Sequence, residues 1–154
     1  ADDLSSLVQL QPASPVAGSL LIVGGGPIPN SVIDKFFELA GGEKAKIVVV
    51  TTASSLAGTP DAEARYSHWL DRKPESLSFL HTRDRQEADS AEFSKTLLEA
   101  SAVWFMGGNQ NWLAEPYLGT LFEKRCHQLL RRGGVVGGTS AGAAIMSKSM
   151  IAGG

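Results

Sequence analysis

A glycine-rich segment at residues 133–146 reads GGVVGGTSAGAAIM. Two valines between glycine pairs predict a short buried strand, and the small and apolar residues after Ser140 predict a helix packed closely on a sheet. Between strand and helix, residues 138–142 fit the G-x-S-x-G pattern of a nucleophile elbow, a sharp turn that exposes a serine hydroxyl. Ser140 is therefore a candidate nucleophile; the alternative is a Gly/Ala-rich junction with an incidental serine.

The rest of the chain repeats the order of strand, turn and helix. Short β-rich runs are expected at Leu20–Val23, Ile47–Val50, Leu77–Leu80 and Val103–Met106. Helical spacing is expected over residues 32–40, 61–72, 91–100, 111–118 and 120–132. This alternation predicts a parallel sheet with helices on both faces. Ligands of such sheets bind beyond the carboxyl ends of the strands, where glycine turns at residues 24–26, 107–108 and 137–142 are expected to converge.

Composition limits the classes of function. The 154 residues are enough for about one domain, with 43% hydrophobic and 19% charged residues and a net charge of -2. That charge argues against nucleic acid or an anionic membrane as a partner, and the apolar runs are too short to span a bilayer. Cys126 is the single cysteine and lies on an apolar helix stripe, which predicts burial. No metal-ligand spacing is present, so neither a metal nor a cofactor is expected.

Two glycine-rich turns are candidates for substrate contact. A dinucleotide fingerprint at the first turn would need a third glycine where the chain has Pro29. Gly25 and Gly26 are therefore expected to allow close approach of backbone to substrate or to the elbow instead. In the second turn, one of the glycines, Gly107 or Gly108, is expected to supply an oxyanion donor, and Gln110 is expected to contact substrate amides or carboxylates. Asn109 either binds substrate or caps the helix that follows.

A serine nucleophile needs a base, and the three histidines, His68, His81 and His127, all precede Ser140. His81 is the best placed, because it ends the third predicted strand at the edge where sites form. Arg83 and Asp84 just beyond it are candidates for lining the site.

Four blocks together resemble the cyanophycinase family, serine peptidases related to aspartyl dipeptidase. They read LIVGGG at 21–26, VVTTAS at 49–54, FMGGNQ at 105–110 and GTSAGAA at 138–144. The resemblance implies a three-layer α/β sandwich, flavodoxin-like or class I glutamine-amidotransferase-like. It also implies Ser140 as nucleophile, the backbone N–H groups of Ala141 and Gly108 as oxyanion donors, and Gln110 as a substrate-binding residue.

The activity implied by the resemblance is hydrolysis of aspartyl peptide or isopeptide bonds through an acyl-enzyme. Cyanophycinase cuts a polymer of aspartate, with arginine on each side chain, into β-aspartyl-arginine dipeptides. The alternatives are an aspartyl dipeptidase or a general peptidase on the same scaffold, and a non-catalytic binding protein that retains the elbow.

In that family the histidine base and its acid follow the serine. We therefore expect residues 19–154 to be the first part of a single hydrolytic domain. Residues 1–18 contain a polar, proline-containing stretch and are expected to be an N-terminal arm. A C-terminal fragment, separated by cleavage at or after Ala152–Gly154 and still bound, would complete the domain. A homodimer is a second expected partner, since such folds often dimerise. The start at Ala1 without methionine favours an extracellular or periplasmic location, with the cytoplasm as the alternative.

Overall fold

The computed structural model describes residues 18–24, 27–109 and 111–139, together with the backbone of a strand at residues 7–12. The strands are β1 (Leu7–Pro12), β2 (Ser19–Val23), β3 (Lys46–Val50), β4 (Ser76–Leu80), β5 (Ala102–Phe105) and β6 (Val135–Thr139). The helices are α1 (Asn30–Ala40), α2 (Pro60–Ala64), α3 (Arg85–Ala88), α4 (Asn111–Tyr117) and α5 (Leu121–Arg131). Short 3-10 turns cover Gly42–Lys44, Ser67–Arg72 and Lys95–Leu98.

The strands form one sheet in the order β1-β2-β6-β5-β3-β4. The strands from β2 to β4 in this order run parallel, and β1 pairs antiparallel with β2 at the edge. The predicted parallel sheet is confirmed. The antiparallel strand is an addition: residues 7–12, expected to be a surface arm, extend the sheet by pairing from Leu7 opposite Val23 to Pro12 opposite Ser19. An edge strand tolerates the proline at its end because one side of the strand has no neighbour to bond.

Each face of the sheet carries its own core, which gives the three layers of the predicted sandwich. On one face the ring of Trp104 from β5 lies 5.1 Å from Phe36 of α1 and 5.4 Å from Trp69, centroid to centroid. On the other face Tyr117 of α4 stacks on Phe122 of α5 with centroids 4.2 Å apart. Successive residues of the central strands therefore alternate between two apolar environments, as their unbroken hydrophobic character predicts.

Two predicted helices are wrong in extent. Residues 61–72 divide into α2 and a 3-10 turn, where the Trp69 N–H donates to the Tyr66 carbonyl at 2.9 Å. The tighter turn brings both aromatic residues into the core, and their burial overrides the helical pattern. Among residues 91–100 only the 3-10 turn at Lys95–Leu98 is helical. There the Ser90 hydroxyl donates to the Glu87 carbonyl and accepts from the Phe93 N–H, and so competes with helical bonding.

Candidate active site

The predicted elbow follows a central strand of the sheet. β6 ends at Thr139, opposite Val23 of β2, and Gly138 lies opposite Phe105 of β5. β6 therefore ends at the carboxyl edge of the sheet, between β2 and β5, the strands that precede the first and second glycine turns. This is the predicted position. Ser140, Ala141, Gln110, Gly25 and Gly26 lie outside the described residues, so their roles stay predictions.

Gly108 lies where the loop after β5 packs against the loop after β3. Its φ is +150°, and a Cβ atom added to it would lie 2.0 Å from the Ala53 carbonyl oxygen. The Asn109 N–H donates to that same oxygen at 2.8 Å. Only glycine allows this approach. Among the described residues the Gly108 N–H has no acceptor, as an oxyanion donor requires.

The side chain of Asn109 bonds to the backbone of its own turn. Its Oδ1 accepts from the Asn111 N–H at 2.9 Å, at the start of α4. This is the contact that the capping interpretation predicts. A role for Asn109 in substrate binding stays a prediction.

A cleft of about 690 Å³ opens beside the end of β6. The described residues that line it are Pro27, Ile28, Arg65, Tyr66, His68, Trp69, Met106, Gly107, Gly108 and Thr139. Burial raises the pKa of Tyr66 to about 12, and the Trp104 indole and then Arg65 act against that rise. Tyr66 is therefore a neutral phenol at physiological pH, and the cleft combines aromatic walls with an exposed arginine and an exposed histidine.

The residues of the cleft wall between Arg65 and Trp69 were missed by the sequence interpretation, which placed them on a regular helix. The available signal was a pair of aromatic residues three apart, Tyr66 and Trp69, with Arg65 and His68 beside them. Such a pair indicates burial, and the segment follows a strand's carboxyl end, where ligands of parallel sheets bind.

His81 lies away from the predicted nucleophile. It follows β4, which is three strands from β6, a separation of roughly 14 Å at the usual strand spacing. Its Nδ1 lies 3.1 Å from the Thr52 hydroxyl, which also bonds the Tyr117 hydroxyl at 2.5 Å. The structure therefore disfavours His81 as the base for Ser140.

Burial lowers the pKa of His81, Arg83 lowers it further, and Glu87 acts in the opposite direction. The folded state therefore binds fewer protons at His81 than the unfolded state, whose pKa is about 6.5. The stability that the neutral form of His81 contributes to the folded state should therefore be complete above about pH 6.5 and be lost as the pH falls below it.

In chemical denaturation between pH 7.5 and pH 5, His81→Gln should lose less stability on acidification than the wild type. Equal losses in both proteins would contradict the assignment.

The other two candidates on α5, His127 and Cys126, are held by contacts within the fold and not by the cleft. His127 of α5 lies 3.4 Å from the Glu123 carboxylate. Cys126 is fully buried, as predicted, and burial raises the pKa of its thiol. Within the described ranges no group of three or more His, Cys, Asp or Glu side chains is arranged to hold a metal ion. In the same ranges no helix has the length and apolar composition to cross a membrane.

These features define a class: a flavodoxin-like α/β protein in which a G-x-S-x-G sequence begins at the end of a central parallel strand. The family model "Peptidase family S51" matches residues 20–154. The chain belongs to this family.

Individual relatives agree with that assignment. The chain is 31% identical over 140 residues to a cyanophycinase of Geminocystis herdmanii, covering 88% of this chain and 51% of that protein. It is 31% identical over 148 residues to a cyanophycinase of Nostoc sp., covering 88% of this chain and 47% of that protein. A crystal structure of a peptidase from an acI-B1 Actinobacterium has the same fold, with a TM-score of 0.68 and 24% identity over 85% of this chain and 57% of that one. The chain therefore spans about half the length of the curated relatives that it matches.

Proposed function

We propose that the protein is a serine peptidase that hydrolyses aspartyl peptide or isopeptide bonds through an acyl-enzyme on Ser140. The observation that carries the proposal is the end of β6 at Thr139, directly before Ser140 and on the same cleft as Gly107 and Gly108. The cleft that Thr139 lines also contains Gly108, whose backbone N–H has no acceptor among the described residues.

The chemistry follows from this arrangement. The base takes the proton of the Ser140 hydroxyl as its oxygen attacks the scissile carbonyl, and the developing oxyanion accepts hydrogen bonds from the N–H groups of Gly108 and Ala141. The C–N bond then breaks and leaves the acyl group on Ser140. The leaving amine takes a proton from the protonated base, and water then hydrolyses the acyl-enzyme.

We propose that the histidine base and its acid come from a bound C-terminal fragment of the same polypeptide, since all three histidines of this chain lie in the described residues. Two observations support this origin: the curated relatives are about twice as long as this chain, and two of the three histidines, His81 and His127, have other contacts. The third, His68, is tested by substitution below. A homodimeric assembly and an extracellular or periplasmic location are separate proposals.

The proposed substrate is cyanophycin, cleaved to β-aspartyl-arginine dipeptides. The support is the likeness to proteins named cyanophycinase. The size of the cleft is also consistent with a dipeptide-sized unit. The alternatives are an aspartyl dipeptidase, a general peptidase and a non-catalytic binding protein, and no observation in the described residues favours one of these three.

Incubation of the intact purified protein with three substrates separates these possibilities: cyanophycin, an aspartyl dipeptide and unfolded casein. Mass spectrometry of the soluble products should show β-aspartyl-arginine from cyanophycin alone. Cleavage of only the dipeptide would indicate an aspartyl dipeptidase, and cleavage of casein a general peptidase. No cleavage of any substrate would favour the binding protein.

A further inference from the structure

The guanidinium of Arg83 is fixed at the carboxyl edge of the sheet, close to the loop that contacts Gly108. Its Nη2 donates to the carbonyl oxygens of Thr52 and Ser54, both at 3.1 Å. The plane of Trp112 supports it from one side, with the guanidinium carbon 4.5 Å from the ring centroid. Two hydrogen bonds and a stacked ring hold an arginine side chain that is otherwise exposed to solvent.

The charge of Arg83 has no carboxylate partner among the described residues, and the acids nearest to it in sequence bond elsewhere. Asp84 accepts from the Gln86 N–H at 2.9 Å, and Glu87 accepts from the Thr82 hydroxyl at 2.5 Å. The Nη1 and Nε groups of Arg83 also have no acceptor within the described ranges. A stacked, immobilised guanidinium with free donors is suited to accepting an anion, because little side-chain entropy remains to be lost.

The position of Arg83 connects it to the proposed active site. Two neighbouring carbonyl oxygens of the loop after β3 accept hydrogen bonds from different parts of the chain. The Ala53 oxygen accepts from the Asn109 N–H, and the Ser54 oxygen accepts from Arg83 Nη2. Arg83 therefore holds the same loop segment that Gly108 packs against, one residue further along, or about 3.8 Å of chain. The Tyr66–Trp69 wall of the cleft belongs to the core on the opposite face of the sheet from α4.

We propose that Arg83, supported by Trp112, is a binding site for a carboxylate group of the substrate. A substrate held at the end of β6 would extend one way into the cleft and the other way over the loop after β3 to this arginine. Nη1 would donate a charge-assisted hydrogen bond to the carboxylate. This inference deepens the proposed function and rests on it, because aspartyl substrates supply the anion.

Binding to an inactive protein tests the inference separately from turnover. The intact protein carrying Ser140→Ala would be titrated calorimetrically with β-aspartyl-arginine and with its two mono-carboxamides, each of which lacks one negative charge. We expect one carboxamide to bind roughly 10- to 100-fold more weakly than the dipeptide. Adding Arg83→Gln should remove the preference for the dipeptide over this more weakly bound carboxamide. The affinity for the carboxamide itself should not change.

The matched control is Arg85→Gln, which removes another exposed arginine that donates to a backbone carbonyl of α4, that of Glu115 at 2.9 Å. It should preserve the preference for the carboxylate. Arg83→Lys keeps the charge but not the stacked plane, and should restore only part of the affinity. Equal weakening of dipeptide and carboxamide by Arg83→Gln, or no effect on either, would overturn the inference, as would the absence of binding by all three ligands.

The two proposals fail in different ways. If the wild type cleaves cyanophycin but shows no preference dependent on Arg83, the proposed function stands and the carboxylate site is wrong. If the preference is present but Ser140 supports no hydrolysis, the carboxylate site stands and the proposed function is wrong.

Discussion

Replacement of Ser140 by alanine is expected to abolish hydrolysis, lowering kcat by on the order of 10⁴- to 10⁶-fold. Alanine removes the attacking oxygen but keeps the small side chain that a tight strand-to-helix turn requires. Steady-state kinetics on cyanophycin, with product detection by mass spectrometry, measure the loss. The thermal midpoint of unfolding should change little, because alanine removes a single oxygen atom and adds no volume.

His68→Gln is the control variant for this loss, because His68 is exposed and lines the same cleft as Thr139. If the base is supplied by the C-terminal fragment, this change should lower kcat by less than about tenfold, far below the effect expected for a general base. A loss with His68→Gln comparable to that with Ser140→Ala would assign the base to His68 and contradict the proposed origin. Retained activity in Ser140→Ala would refute the nucleophile itself.

Replacement of Gly108 by alanine should cause the second largest effect. The new Cβ would lie 2.0 Å from the Ala53 oxygen and 2.6 Å from the Ala53 carbon, both backbone atoms. One loop must then move, which displaces the proposed oxyanion donor. We expect kcat to fall by about 10²- to 10³-fold, measured by steady-state kinetics, and the free energy of unfolding to fall by about 1–3 kcal/mol, measured by urea denaturation.

Gly42→Ala separates backbone strain from the clash. Gly42 also has a positive φ, +63°, but an added Cβ would meet no atom within 4 Å. This change should cost about 1 kcal/mol of stability through strain alone and leave kcat unchanged. If Gly108→Ala and Gly42→Ala had the same kinetic effect, Gly108 would have no special role at the site.

The parallel sheet was predictable from the sequence because its strands have a clear local pattern of apolar, β-branched residues. Runs such as Ile47–Val50 are wholly β-branched and bounded by turn residues, which is typical of strands buried on both faces. The β1 strand lacks that signal: residues 7–12 read LVQLQP, and only pairing with β2 makes them a strand. The prediction of one helix over residues 61–72 was wrong for a related reason. The burial of Trp69 against Trp104 is a tertiary contact, which a local pattern does not show.

The sequence predicts a site at the carboxyl edge of the sheet, but it did not predict the side-chain contacts that the structure has there. Glycine at 107–108 indicated a turn at a strand's carboxyl end. The reason that glycine is required at 108, the oxygen of Ala53, comes from a loop more than fifty residues earlier. The partnership of Arg83 with Trp112 is equally non-local. A sequence pattern records spacing along one element, whereas these contacts are set by strand order.

Covalent labelling of the intact protein with a fluorophosphonate, followed by proteolysis and peptide mass mapping, tests whether Ser140 is the nucleophile. We expect one stable phosphonyl adduct per molecule, located on Ser140, lost in Ser140→Ala and retained in Arg85→Gln. An adduct on another residue, or hydrolysis of cyanophycin by a protein that Ser140 labelling does not inhibit, would contradict this role.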